Sequence, residues 1–201
     1  MFGQSGLVPR LHPAAASPLA DASTSRLSVL RLQDSDLDEL TEVFRDPAVW
    51  WFEYERGLDR AETEAFLDRQ KRLWEEYGFG GCAVRDVERR ALLGVVGLGV
   101  PTLSNPLLPD VTIGWRFAPS VWGHGYATEA AIALLRQAFG PMRLRAVGCI
   151  TNRENTRSVA LARRLRMEVI AEHEGPRDDG LRIVVALLLR VDRGQWAKDV
   201  G

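Results

Sequence analysis

The sequence predicts a mixed α/β domain: a single, mostly antiparallel sheet with one parallel strand pair at its centre, flanked by helices. Three observations carry this. Residues 111–117 alternate apolar Val111, Ile113, Trp115 and Phe117 with Thr112, Gly114 and Arg116, the period of a half-buried strand. After a glycine turn the period becomes helical from Tyr126, with Ala127, Ala131, Leu134 and Ala138 on one stripe and Gly140-Pro141 as the stop. Residues 144–151 read as a further strand, and a strand, helix, strand unit makes parallel neighbours with a right-handed crossover. The glycine turn therefore lies at the carboxyl end of its strand.

In chain order, residues 1–25 are rich in Ala, Ser, Pro and Gly and hold no apolar run long enough for a signal-peptide core or a membrane span. They read as a disordered tail, and a cytoplasmic location follows by default. Gly6-Leu7-Val8-Pro9-Arg10 looks like the protease site of an expression tag and equally fits a native segment. The domain is expected over 26–196, with 197–201 as a C-terminal tail. It opens with an alternating strand at 26–32, a cap region from Asp34 to Asp36, and a helix carrying Leu37, Leu40, Val43 and Phe44 that Asp46-Pro47 ends. The aromatic run 48–54 is read first as core packing and second as the lip of a substrate pocket.

A second helix spans 60–77, with acids near its start. Residues 79–85 and 91–100 form two strands joined through the charged stretch 85–90. Gly94, Gly97 and Gly99 make no dinucleotide motif, because Pro101 and the turn Ser104-Asn105-Pro106 follow in place of a helix. Beyond Asn152, Asn155 or Thr156 caps a helix whose Val159, Leu161, Ala162 and Leu165 face inward. Strands at 168–174 and 181–191 enclose a polar connection at 175–180.

Composition sets outer limits. With 201 residues, 46% hydrophobic, the chain can bury one sizeable core. A net charge of −1 gives no general support for nucleic-acid or anionic-membrane binding. Cys82 and Cys149 lack metal-ligand spacing and sit in apolar runs, so both are expected as buried, reduced thiols. His12, His124 and His173 are too scattered to predict a metal site.

The chemistry concentrates where Gly123 and Gly125 flank His124 at the start of the central helix. An open helix N-terminus offers unpaired N–H donors and about half a positive charge, which suits a phosphate or pyrophosphate. No Lys-Ser or Lys-Thr follows the second glycine, so this is not the nucleotide P-loop. Residues Trp122-Gly123-His124-Gly125-Tyr126-Ala127-Thr128-Glu129-Ala130 resemble the acyl-coenzyme A pyrophosphate loop of the GNAT acetyltransferase superfamily, in the form seen in its ribosomal-protein N-acetyltransferase branch. Trp122 stands where members usually carry Gln or Arg.

The resemblance covers about 26–196, and residues 190–196 are similar to the family's usual ending. It implies the GNAT fold and acetyl-coenzyme A as donor, with no metal. The implied contacts are Phe117, Ala118, Val121, Trp122, Gly123, His124, Gly125, Tyr126, Ala127 and Thr128, with an oxyanion donor among the N–H groups near Phe117 or Ala118. Asn155-x-x-Ser158 followed by Leu165-Arg166-Met167 is similar to the family's Asn-x-x-Ser and Leu-Gly-Phe pattern, which sets Asn155 against the pantetheine arm. Arg166 takes the usual glycine place. Ala162 stands where many members have a tyrosine, which makes Ser158 the candidate donor to the departing thiolate; the competing reading is a first-turn serine bonding a backbone N–H.

Thr112 stands where members often place a base, so Asp110, Glu172 and Glu174 become the candidate bases, each equally an ordinary solvated strand-end carboxylate. The implied reaction moves acetyl to a primary amine by direct attack in a ternary complex, the acceptor being a protein N-terminus or a small molecule, an antibiotic included. Thr112 and Ala162 also motivate another class, a catalytically weak acyl-coenzyme A-binding sensor or scaffold. A homodimer is compatible with the resemblance.

Overall fold

A computed structural model describes residues 17–101, 103, 105–176 and 183–200. The tag-like segment, Ser104 and most of the 175–180 connection lie outside the described residues. The chain runs β1 (Ala22–Ser23), β2 (Leu27–Arg31), α1 (Leu37–Phe44), α2 (Pro47–Tyr54), α3 (Arg60–Tyr77), β3 (Gly81–Asp86), β4 (Leu92–Gly99), β5 (Thr112–Phe117), α4 (Tyr126–Phe139), β6 (Ala146–Asn152), α5 (Thr156–Arg164), β7 (Glu168–Pro176), β8 (Ile183–Asp192) and α6 (Arg193–Val200). The described strands form one eight-stranded sheet in the order β1-β2-β3-β4-β5-β6-β8-β7. β5 and β6 pair in parallel and the other neighbours are antiparallel, the mixed architecture expected from the sequence.

Local signals explain the helix ends. Asp46 accepts the Ala48 N–H at 2.9 Å with Pro47 at the first helical position, so the aromatic run forms a helix of its own. Asp59 and Glu62 close a capping box on α3, and Gly78 ends it in the left-handed region at φ 73°.

Strand alternation divides the core between the two faces of the sheet. Val84, Val96, Ile113, Phe117, Val147 and Leu189 pack with α4 and α5 on one face. Ala83, Leu92 and Val95 pack with Leu40, Phe44, Val49, Trp50 and Leu67 of α1, α2 and α3 on the other. Leu93 is an extra residue in β4, because the register steps from Val84↔Gly94 to Arg85↔Leu92. That bulge returns Leu93 to the α4 face beside Val96. Leu134 and Leu135 of α4 are fully buried, so truncating either to alanine costs about 2–5 kcal/mol.

Both proposed tails are shorter than the sequence suggested. Leu19 is buried and donates its N–H to the Gly78 carbonyl at 2.9 Å, and Ala22–Ser23 adds an edge strand to β2. A single apolar anchor inside a polar stretch is invisible to average composition. At the other end α6 carries residues 197–200 as helix. Among the described residues no helix is long and apolar enough to cross a membrane.

Candidate functional site

β5 and β6 share one registered pair, Thr112↔Gly148, and diverge beyond it. Their carboxyl ends open into a cavity of about 1590 Å³, lined by Gly114 to Phe117 of β5 and Cys149 to Thr151 of β6. Residues of α4 and α5 line it from one face and residues of α2 from the other, so the cavity crosses the sheet.

The hydrogen-bond pattern leaves specific groups pointing into this opening. Ala118 donates its N–H to the Leu93 carbonyl at 3.0 Å and is therefore turned toward β4. Antiparallel ladders alternate, so the backbone groups of Trp115 and Phe117 face the opening instead. The Phe117 carbonyl accepts Trp122 Nε1 at 2.8 Å, and the Trp115 carbonyl accepts Arg116 Nη1 at 2.8 Å. What Trp115 and Phe117 leave open toward the cavity is their N–H donors.

The glycine turn closes one end. Gly123 and Gly125 both have φ 81°, the left-handed region that suits glycine, and Gly125 is the N-cap of α4. With no side chain capping it, the first turn of α4 presents its N–H groups outward. Thr24 and Arg26, in the turn between β1 and β2, anchor the helix: Thr24 donates to Glu129, Arg26 Nε donates to Glu129 at 2.8 Å, Nη1 donates to the His124 carbonyl at 3.2 Å, and the guanidinium covers the Tyr126 ring at 4.7 Å. Burial pushes the Glu129 carboxyl up, but the hydrogen bonds from Thr24 and Arg26 outweigh it and hold the group below the usual carboxylate range.

Across the opening, Asn155 Oδ1 accepts the Ser158 N–H at 3.1 Å and caps α5. Arg157 lies over the Trp122 ring at 4.7 Å, and Arg136 and Arg164 complete a basic margin. Cys149 lines the cavity but is buried, and burial pushes its thiol up to about 12, as it does for Cys82.

Of the residues singled out in the sequence, Phe117, Val121, Trp122, Gly123, Gly125, Tyr126, Ala127, Thr128, Asn155 and Ser158 come together around the cavity. Ala118 and His124 do not. The Ala118 N–H is spent on β4, and the His124 ring stays exposed, with Nδ1 2.9 Å from the Trp122 carbonyl. Asp110 and Glu174 are exposed and stand outside the lining, and Glu172 pairs with Arg153 at 3.5 Å. The carboxylates that do line it are Asp46, Glu53 and Glu129. Glu53 and Arg116 went unnoticed, although alternation along β5 already turned Arg116 to the face opposite Trp115 and Phe117. Among the described residues no group of three metal-binding side chains gathers.

YkkB of Bacillus subtilis (strain 168), itself uncharacterized, is 28% identical over 146 residues, 72% of this chain and 83% of its own length. An acetyltransferase (GNAT family) structure from Bacillus anthracis matches with a TM-score of 0.72 at 20% identity, covering 87% of this chain and 99% of that one. A Vibrio cholerae chain provisionally assigned as a ribosomal-protein-serine acetyltransferase gives 0.69 at 18% identity, covering 88% and 99%. At such identities these two structures speak for the fold alone. The model of the acetyltransferase (GNAT) domain family matches residues 26–168, and this chain belongs to that family.

Proposed function

We propose that the protein is an acetyl-coenzyme A-dependent N-acetyltransferase acting on a primary amine by direct attack in a ternary complex. The supporting observation is the cavity that crosses the sheet between β5 and β6, which gives donor and acceptor separate entrances on opposite faces. On the α4 side, the uncapped helix start at Gly125 suits the pyrophosphate. The open N–H groups of Trp115 and Phe117 suit the pantetheine carbonyls and then the oxyanion formed at the thioester carbon.

The acceptor nitrogen then bonds to the acetyl carbon as the carbon–sulfur bond breaks, and the Ser158 hydroxyl is the proton donor to the leaving thiolate. The nitrogen must first lose a proton to water at the acceptor mouth, which costs less for an α-amino group near about 8 than for lysine near about 10.4, and the second proton it sheds on forming the amide returns to the serine. The Trp122 to Ala130 motif supports the ribosomal-protein branch and hence a protein N-terminus as acceptor, with a small amine such as an antibiotic using the same donor site.

Calorimetry with coenzyme A and a thiol-release assay across N-terminal peptides and small amines test this reading. Saturable coenzyme A binding with thiol release for at least one amine class is expected; absence of binding removes the proposal. The acyl-coenzyme A sensor is favoured by one observation, that Thr112 donates to the Gly99 carbonyl at 3.3 Å where members often carry a base. Tight binding without thiol release on any amine would select it.

A further inference from the structure

The two mouths of the cavity differ in charge. On the α4 and α5 side stand Arg136, Arg157 and Arg164, with Glu129 held by Arg26. On the α2 side stand Asp46, Glu53 and Arg116. Arg116 is committed as a support: Nη2 binds Glu53 Oε1 at 2.5 Å, Nη1 binds the Trp115 carbonyl, and its Cζ lies 4.6 Å over the Trp50 ring. Its Nε is sealed from solvent with no hydrogen-bond partner among the described residues, and Glu53 neutralises its charge. Glu53 is the opposite case. Its side chain is 39% exposed at the cavity, and Oε2 has no partner among the described residues. Asp46, about two helical turns away at the N-cap of α2, spends Oδ1 on the Ala48 N–H and adds negative charge to the same mouth.

From this geometry we infer that Glu53, held in place by Arg116, binds the ammonium of the acceptor, and that the acceptor is an aliphatic amine with no carboxylate on the carbon next to its nitrogen. This rests on the N-acetyltransferase reading and adds the acceptor class and the residue that selects it. The ammonium donates to Oε2, while Trp51 and Phe52 on the same helix offer apolar surface to the alkyl chain. An α-carboxylate would enter beside the Glu53 carboxylate, whose ion pair already neutralises the Arg116 charge, so repulsion disfavours it.

Butylamine and norvaline, the same chain with an α-carboxylate, are compared at saturating acetyl-coenzyme A with the full-length protein. Norvaline has the less basic nitrogen, so intrinsic reactivity alone favours norvaline. We expect butylamine to be preferred in kcat/KM by at least about tenfold, and Glu53→Gln to raise its KM by at least about tenfold, as for loss of a hydrogen bond to a charged group. Coenzyme A affinity stays within about twofold. A preference for norvaline, a Glu53→Gln variant with unchanged butylamine KM, or a coenzyme A-loaded wild type that neither binds nor acetylates butylamine would overturn the inference. If Glu53→Gln does not fold, the wild-type ratio decides alone. A wild type that fails to bind coenzyme A removes instead the reading beneath it.

Discussion

Asn155 Oδ1 accepts the backbone N–H of Ser158 at 3.1 Å, so capping at the start of α5 falls to the asparagine. The Ser158 hydroxyl has no hydrogen-bond partner among the described residues and lines the cavity. The two residues therefore separate in their effects. Asn155→Ala should cost about 1 kcal/mol of stability. Ser158→Ala should leave the melting temperature and coenzyme A affinity nearly unchanged and lower kcat about tenfold, the low end for proton donation to a tolerable leaving group. An unaltered kcat in a folded, coenzyme A-binding Ser158→Ala variant would remove the serine from the mechanism.

Gly125 should matter more than its histidine neighbour. Its φ of 81° is costly for any side chain and most of all for a β-branched one, although the space around it is open, with Arg26 Nη2 the near atom at 3.6 Å. Gly125→Val should weaken coenzyme A binding at least about tenfold by turning the first N–H groups of α4 away, while His124→Ala changes it less than about twofold. Calorimetry giving the reverse order would mean that side-chain chemistry, not the helix terminus, holds the anion.

Arg166 occupies the left-handed region at φ 62°, directly after α5, where the family pattern has glycine. Arg166→Gly should therefore raise stability by about 0.5–1 kcal/mol, read as a higher urea midpoint. A lower midpoint would show that the contacts of the arginine side chain outweigh the backbone cost.

The buried thiols set an alkaline limit. Below about 8.5 folded and unfolded chains both keep the Cys82 and Cys149 protons, and pH has no effect through them. From there toward about 12 the unfolded chain loses protons that the native chain retains, so stability falls as pH rises. The slope approaches about 1.4 kcal/mol per pH unit for each thiol, and alanine at both positions should flatten it. Reducing agent should leave the melting temperature at neutral pH unchanged, because both cysteines are free; a drop would contradict this.

What could be read from the sequence follows from how local each signal is. The strand to Phe117, the glycine turn and the helix from Tyr126 are contiguous, and the spacing of their residues carries all of their geometry. The partnership of Glu53 with Arg116 joins residues 63 apart, through a helix whose aromatic composition hid its period. Leu19 packs through one side chain, too little to register in a polar stretch. Asp110 and Glu174 are acids at strand ends, a pattern shared by solvated and functional carboxylates, and only the divergence of β5 from β6 decides which acids border the opening.

That divergence makes the sheet two antiparallel blocks, β1 to β5 and β6-β8-β7, sharing one registered pair. Each block can open and close as its own cooperative unit, with amide protons at the boundary exchanging faster than those inside either block. A ligand arm laid along the boundary supplies the missing rungs, so occupancy of the site should merge the two units and slow exchange across both strands at once. If exchange slows in this way, the bound molecule acts as a structural member of the sheet.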